Sequence, residues 1–308
     1  MKKTLFADIS LLLVTFVWGA TFVVVQNAIA SLPPHSFNAV RFLLATLLLG
    51  GWLILFERKQ LSHLNRKLLF SGVIMGVWLF VGYAFQTVGL LYTTSSKAGF
   101  ITGLCAVMVP LLSIILLKQR PSKNAVIGVV IATVGLYMLT MTDMTALNKG
   151  DVLVFFCAIG FAMHIIFTGK YSSKYPSLLL TVIQIATVTI CSFMFSLITE
   201  DYMTAFSPSV LFRSEVIFAL LVTAVFATAL AFFAQTNFQK FTTPTRVALI
   251  FAMEPVFAAA TAYLWINERL STSALIGCLL ILAGMLFAEL PMGKGFLLKK
   301  IKQRKKAV

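Results

Sequence analysis

Ten runs of residues, each nearly free of charge, account for almost all of this 308-residue chain, at 7–27, 37–56, 68–90, 97–117, 124–142, 151–170, 178–198, 214–236, 246–266 and 270–290. Each is close to the roughly 20 residues that an α-helix needs to cross a bilayer. In hydrocarbon a backbone must satisfy its own N–H and C=O groups, so a chain patterned this way is expected to fold as a bundle of spanning helices. The connectors are short except for the stretch after Pro291, which leaves no room for a water-soluble domain. Composition agrees: 59% of the residues are hydrophobic and 11% charged, against about half and about a quarter in soluble domains.

The formal net charge of +15 would suggest nucleic acid in a soluble protein, but its placement argues for topology. If both termini are cytoplasmic, that side collects Lys2, Lys3, Arg58, Lys59, Arg66, Lys67, Lys118, Arg120, Lys123, Lys170, Lys174, Lys240, Arg246 and the seven basic residues from Lys294 onward. The opposite side keeps Arg41, Lys97, Lys149, Arg213 and Arg269. This bias is the one that the positive-inside rule describes. The tail KKIKQRKK is expected to lie on anionic headgroups, at about 1 kcal/mol per basic residue near the surface. No aromatic-rich basic surface accompanies it, so nucleic acid is not expected as a partner.

Lys2 and Lys3 before an apolar run, followed by Ala28-Ile29-Ala30, imitate a signal peptide. The run exceeds the usual h-region of roughly 7–15 residues, and nine more follow, so it reads as a retained first helix. Cys105, Cys157, Cys191 and Cys278 all fall inside expected spans without a CxxC pair. They read as small packing residues, and neither a disulfide framework nor a metal site is expected.

The chain repeats itself. At an offset of 149, YAFQTVGLLYTTSSKAGF (83–100) aligns with FFAQTNFQKFTTPTRVAL (232–249), and KQRPSKNAVIGVVIATVG (118–135) with NERLSTSALIGCLLILAG (267–284). Gln86 falls on Gln235, Thr87 on Thr236, Lys97 on Arg246, Arg120 on Arg269, Gly128 on Gly277 and Gly135 on Gly284. An offset of 143 pairs Asp8 with Asp151 and Trp18-Gly19 with Phe161-Ala162. Five spans per copy is odd, so the second copy enters the membrane from the other side. The expected fold is therefore an all-α integral membrane protein of ten transmembrane helices in two inverted five-helix repeats, 1–143 and 144–290, with a basic cytoplasmic tail over 291–308. Inverted repeats build many secondary transporters, whose substrate site lies near the midplane between the halves.

WGATFVVVQ (18–26), PHSFNAVRFLLA (34–45), KAGFITGLCAVMVPLL (97–112), EPVFAAATAYLWINERLS (254–271) and LIGCLLILAGM (275–285) resemble the EamA family of the drug/metabolite transporter superfamily. The resemblance covers nearly the whole chain as two copies. It implies a ten-helix carrier in a bacterial plasma membrane, with both ends cytoplasmic and a central cavity, exporting amino acids or other small metabolites. The first copy departs from the family pattern: Gln119 replaces the Glu of the Glu-Arg-Leu string, and Cys105-Ala106 stand where the second copy has Glu254-Pro255.

An ionisable side chain within a membrane is a functional candidate by default. Asp8, Lys97, Asp151 and Arg246 sit at span ends and read as topological anchors. Arg41, about one turn inside its span, is expected to snorkel outward or to pair with an acid of the outer loops. Glu254 and His164 lie deeper, at roughly 12 Å and roughly 9 Å from the inner ends of their spans. Two titratable groups at similar depth would suit proton coupling. Against this, His164 reads first as a partner of a neighbouring carbonyl. Glu254, beside Pro255, reads equally as support for a helix break, where backbone amides are freed. Trp18, Trp78 and Tyr83 are aromatic candidates for the substrate cavity, with Thr21, Thr102 and Gln86 as its polar groups; lipid-facing packing is the competing reading for each aromatic. Gln86 and Gln235 are pseudo-symmetric candidates for the two gates, or simply helix-end amides. Gly72–Gly76 and Gly99–Gly103 read as close helix contacts.

No Walker A loop, HExxH, GxSxG or Cys–His metal spacing occurs in the sequence, so neither ATP-driven transport within this chain nor enzymatic hydrolysis is expected, and no catalytic residue or cofactor is assigned. A channel lacks an evident ring of acids or a carbonyl filter. The sequence thus points to secondary transport of a small organic molecule, with multidrug or toxic-compound efflux as the alternative. Its partners are the substrate, the lipid bilayer and, as a homodimer, a second copy of the chain.

Overall fold

A computed structural model describes residues 2–93, 95–140, 148–266 and 271–289, and these are helical almost throughout. In chain order the helices are α1 (Lys2–Ile29), α2 (Pro34–Phe56), α3 (Arg66–Gly89), α4 (Ser95–Gly103), α5 (Cys105–Leu117), α6 (Lys123–Thr140), α7 (Lys149–Tyr171) and α8 (Ser177–Thr199). The short α9 (Tyr202–Ala205) and α10 (Pro208–Leu211) lead into α11 (Ser214–Val222), a π-helical segment over Thr223–Leu230, and α12 (Ala231–Gln239). The chain continues through α13 (Pro244–Phe251), α14 (Glu254–Ile266) and α15 (Thr272–Glu289). Among the described residues, seven helical segments are long and apolar enough to cross a membrane, and no strand is present. Large apolar side chains such as Leu55, Ile115, Ile198 and Leu279 are exposed along the outside of the bundle, as a lipid-facing surface requires. The basic tail, Arg269 and the side chain of Lys97 lie outside the described residues.

Local chemistry sets the helix ends. Pro34 opens α2, where its missing N–H costs nothing. The Glu200 carboxylate, beyond the end of α8, accepts the next two α2 amides, from His35 at 2.7 Å and Ser36 at 2.8 Å, and the Ser36 hydroxyl at 2.7 Å. Asn148 and Asp151 form a capping box at α7. Thr243 caps α13, whose first residue is Pro244.

Two expected spans are interrupted. The fourth breaks at Leu104, between α4 and α5, and the ninth at Ala252-Met253, between α13 and α14. Leu104 and Met253 are 149 residues apart, the offset that relates the two copies. Pro255 supplies a cause in the second copy, but Ala106 stands at that place in the first, so proline alone does not make the break.

Glycines set the closest helix contacts. A Cβ on Gly76 would stand 2.5 Å from the Gln184 carbonyl oxygen, and one on Gly72 2.5 Å from an Ile183 methyl, so α3 packs tightly on α8 as the Gly72–Gly76 spacing predicts. The second pair behaves differently: Gly103 packs on the Leu136 side chain, while Gly99 is at ordinary contact distance, 4.0 Å, from Pro255. The crossing of α6 and α15 is reciprocal. Gly128 faces the carbonyl of Gly284 and Gly284 that of Gly128, while Gly135 and Gly277 face each other in the same way.

Candidate functional site

Phe232, on α12 and buried, is the hub on which four other helices converge. Its ring meets Trp18 of α1 at 5.4 Å, Phe42 of α2 at 6.2 Å, Tyr83 of α3 at 6.1 Å and His164 of α7 at 5.8 Å between centroids. Tyr83 also stands edge-on to Phe161 at 5.3 Å, and Trp18 to Phe251 at 5.0 Å. The edge-to-face arrangements are those that aromatic quadrupoles favour. Three sequence candidates (Trp18, Tyr83 and His164) are thereby brought together in the interior. For Tyr83, only 7% exposed, this overturns lipid-facing packing.

The π-helical segment adds a polar edge to this cluster. Such segments shift carbonyl register and recur at functional sites. The Ala227 carbonyl accepts both the Trp18 indole N–H at 2.8 Å and Arg41 Nη2 at 3.3 Å. Arg41 Nε donates to the Thr228 hydroxyl at 2.6 Å, and Nη2 approaches the Tyr83 hydroxyl at 3.4 Å. Its guanidinium carbon lies 4.9 Å from the Tyr83 ring centroid and 5.5 Å from that of Phe42. Arg41 is 2% exposed and bonds no acid among the described residues, so it neither snorkels nor pairs as expected. Because α2 begins at Pro34, Arg41 lies roughly 10 Å along the helix rather than one turn in.

A second polar layer lies beside His164. Its Nε2 is 2.9 Å from Gln184 Oε1 and 3.3 Å from the Thr168 hydroxyl, and Gln184 Nε2 donates to Thr236 at 2.9 Å. His164 is thus held by side-chain amide and hydroxyl groups rather than by a carbonyl of the backbone. Gln239 donates to the Ile165 carbonyl at 2.6 Å, and Gln235 Nε2 to Gln239 at 3.3 Å. Gln235 Oε1 is buried without a hydrogen-bond partner among the described residues. An orphaned acceptor at such depth is costly unless something supplies a donor.

The remaining candidates make no ring contact with Phe232 among the described residues. Glu254 is the first residue of α14; its backbone carbonyl lies against Gly19, where a Cβ would stand 2.6 Å away, and its carboxylate takes no hydrogen bond among the described residues. Thr21 bonds back to Val17 of its own helix, and Thr102 meets the Cys157 sulfur at 3.7 Å. Gln86 is buried and Trp78 half-buried on α3. Sequence reasoning missed Phe42, Phe161, Gln184, Thr228 and Phe232. The apolar ones carry no signal in a chain this hydrophobic, but Thr228 and Gln184 are intramembrane polar residues and were open to the same default as His164.

At the end of the bundle where α1 starts, Asp8 Oδ2 bonds Arg246 at 2.5 Å, tying α1 to α13. A pocket of about 450 Å³ opens beside it, lined by Gln119, Arg120, Thr242, Thr243, Arg246 and Met285 among others.

The profile of the EamA-like transporter family matches this sequence twice, over residues 5–141 and 148–290. The chain belongs to the EamA-like transporter family. It is 35% identical over 94% of its length to an uncharacterized transporter of Archaeoglobus fulgidus, covering 87% of that protein, and 23% identical to the uncharacterized transporter YoaV of Bacillus subtilis, over 92% and 96%. A solved crystal structure, 17% identical, superposes with a TM-score of 0.75 over 92% of this chain and 96% of that one, a likeness of fold. Family membership and the apolar helices together make this a multi-pass membrane protein of a transporter family, and its named relatives are transporters rather than enzymes.

Proposed function

We propose that this EamA-like protein is a secondary active exporter of small organic metabolites, amino acids or related compounds, working by alternating access between two inverted five-helix halves, 1–143 and 144–290. The reading that carries most weight is the reciprocal glycine crossing of α6 and α15. Residues that the repeat makes equivalent, Gly128 with Gly277 and Gly135 with Gly284, meet crosswise, Gly128 on Gly284 and Gly135 on Gly277. A two-fold axis in the membrane plane requires that crosswise pairing. Supporting it are the double family match and the equivalent breaks at Leu104 and Met253. Interrupted helices near the middle of a bundle are where transporters of inverted symmetry place their sites.

In this reading the protein sits in the plasma membrane with both termini cytoplasmic, its tail on anionic headgroups, and the pocket beside Asp8–Arg246 opens toward the cytoplasm. Glu254 is the coupling group: its carboxylate stands at the start of half-helix α14, and no protein donor among the described residues engages it. His164, tied to Gln184 and Thr168, orients the neighbouring aromatic layer and has no contact with Glu254 among the described residues. Proteoliposomes loaded with labelled amino acids test both parts. An imposed pH gradient should drive their movement, and Glu254→Gln should abolish that dependence while leaving exchange at equal pH. Unchanged gradient-driven transport in Glu254→Gln would end the coupling role, and ion currents at channel rates would end the carrier reading.

A further inference from the structure

The guanidinium of Arg41 is buried with no acid bonded to it among the described residues. Taking a cation out of water is expensive, and protein interiors normally return the loss with a carboxylate. Here the described residues provide a hydroxyl, a backbone carbonyl, a phenol and two aromatic faces. These groups hold the side chain in place without neutralising it. Of the five N–H groups an arginine carries, Nε and Nη2 have the acceptors named, and the pair on Nη1 has none among the described residues.

We propose that Arg41 is an anion subsite of the transport pathway, receiving the carboxylate of a small organic substrate on Nη1 while Thr228, Ala227 and Tyr83 fix the guanidinium. The inference rests on the carrier reading above and names the chemistry of its substrate. One uncompensated positive charge matches one carboxylate; a phosphate dianion would want a second cation, and no other Lys or Arg belongs to this cluster of described residues. The rings of Trp18, Phe42, Tyr83 and Phe232 around it suit an apolar body beyond the carboxylate. The acceptors on the π-helical segment join α2 to the eighth span, and Trp18 shares the same Ala227 carbonyl. Movement of that segment would therefore reposition the cation and the aromatic wall together.

The test uses the full-length protein in proteoliposomes and three probe sets: labelled apolar α-amino acids, their methyl esters, and the amines that lack the carboxylate. The proposal expects the acids to be carried and the esters and amines to be carried poorly. Arg41→Gln should lower acid transport on the order of tenfold to a hundredfold, the worth of a hydrogen bond to a charged group, and erase the preference for acid over ester. Thr228→Val keeps the shape of residue 228 and removes only the acceptor of Nε. It should raise the KM for acids several-fold with little change in maximal rate, which decides the matter if Arg41→Gln does not fold. Equal carriage of acid, ester and amine, or an unchanged acid KM in Thr228→Val, overturns the subsite and leaves the carrier reading intact. If no probe crosses faster than in protein-free vesicles, the carrier reading fails for these compounds and takes the subsite with it.

Discussion

Adding one methyl at the α6–α15 crossing is the most exacting test of how this bundle is held together. A Cβ on Gly128 would stand 2.5 Å from the Gly284 carbonyl oxygen, and one on Gly284 2.6 Å from that of Gly128. On Gly135 it would stand 2.7 Å from the Gly277 oxygen, and on Gly277 2.5 Å from the Gly135 oxygen. All four obstacles are backbone atoms, which cannot swing aside. Ordinary contact begins near 3.4 Å, so the helices must part by about 0.7–0.9 Å, losing dispersion contacts along the seam. Overpacking of this kind costs typically about 1–3 kcal/mol. It outweighs the gain of up to about 1 kcal/mol that alanine brings over glycine in a helix interior.

Thermal unfolding in detergent, followed with a thiol-reactive dye that reports release of the buried Cys105 and Cys157, reads the effect. Each of Gly128→Ala, Gly135→Ala, Gly277→Ala and Gly284→Ala should lower the midpoint by roughly 2–4 °C for each kcal/mol lost. Gly51→Ala, whose Cβ meets nothing within 4 Å, should leave it unchanged or raise it. The facing double variant Gly128→Ala/Gly284→Ala should cost less than the sum of its singles, because helices already parted by one methyl accommodate the other. Strict additivity, or a Gly135→Ala as harmless as Gly51→Ala, would refute the reasoning.

Other expectations follow from single contacts. Glu200→Gln replaces one acceptor oxygen with a donor facing the His35 and Ser36 amides, and should destabilise α2 by roughly 1–2 kcal/mol, seen in the same melt. The Asp8–Arg246 pair is partly exposed, 10% and 31% for the two side chains, so Asp8→Asn should cost no more than about 1 kcal/mol, and the exchange Asp8→Arg/Arg246→Asp should recover part of it. Gly19→Ala would bring a methyl to 2.6 Å from the Glu254 carbonyl; it should slow transport more than it lowers the melting midpoint, since the contact couples α1 to the half-helix start. Asp201, in the exposed connector after α8, is held below the usual carboxylate range by hydrogen bonds from the Thr204 hydroxyl and amide. A carboxylate depressed in this way contributes stability that is present above the ordinary value of 3.8 and lost as pH falls through its lower folded value. Asp201→Asn should therefore flatten the acid limb of a stability–pH curve, lowering stability above pH 3.8, neutrality included, and leaving it unchanged at pH values below the folded Asp201 value.

The helical, multi-pass character was legible because solvent imposes it: an apolar run of about twenty residues has few other ways to satisfy its backbone. The repeat offset was legible too, but it named equivalent glycines, not touching ones. That Gly128 meets Gly284 and Gly135 meets Gly277 becomes visible only when both helices are placed. Breaks were legible only where chemistry marks them. Pro255 announces the one before α14, whereas the first proline after Leu104 is Pro110, six residues on, and the residue types around Leu104 do not signal the break. The π-helical segment Thr223–Leu230 has no residue type that signals it, and this explains why Arg41 was misplaced. Counted from the apolar run, it lay near water and needed an acid. In the fold its partners are a carbonyl and a hydroxyl that the altered register of a different helix presents to it. An arginine in an apolar segment is thus read from its own span only up to its depth; the groups that meet it are decided elsewhere in the bundle, here by the carbonyl and hydroxyl of the π-helical segment.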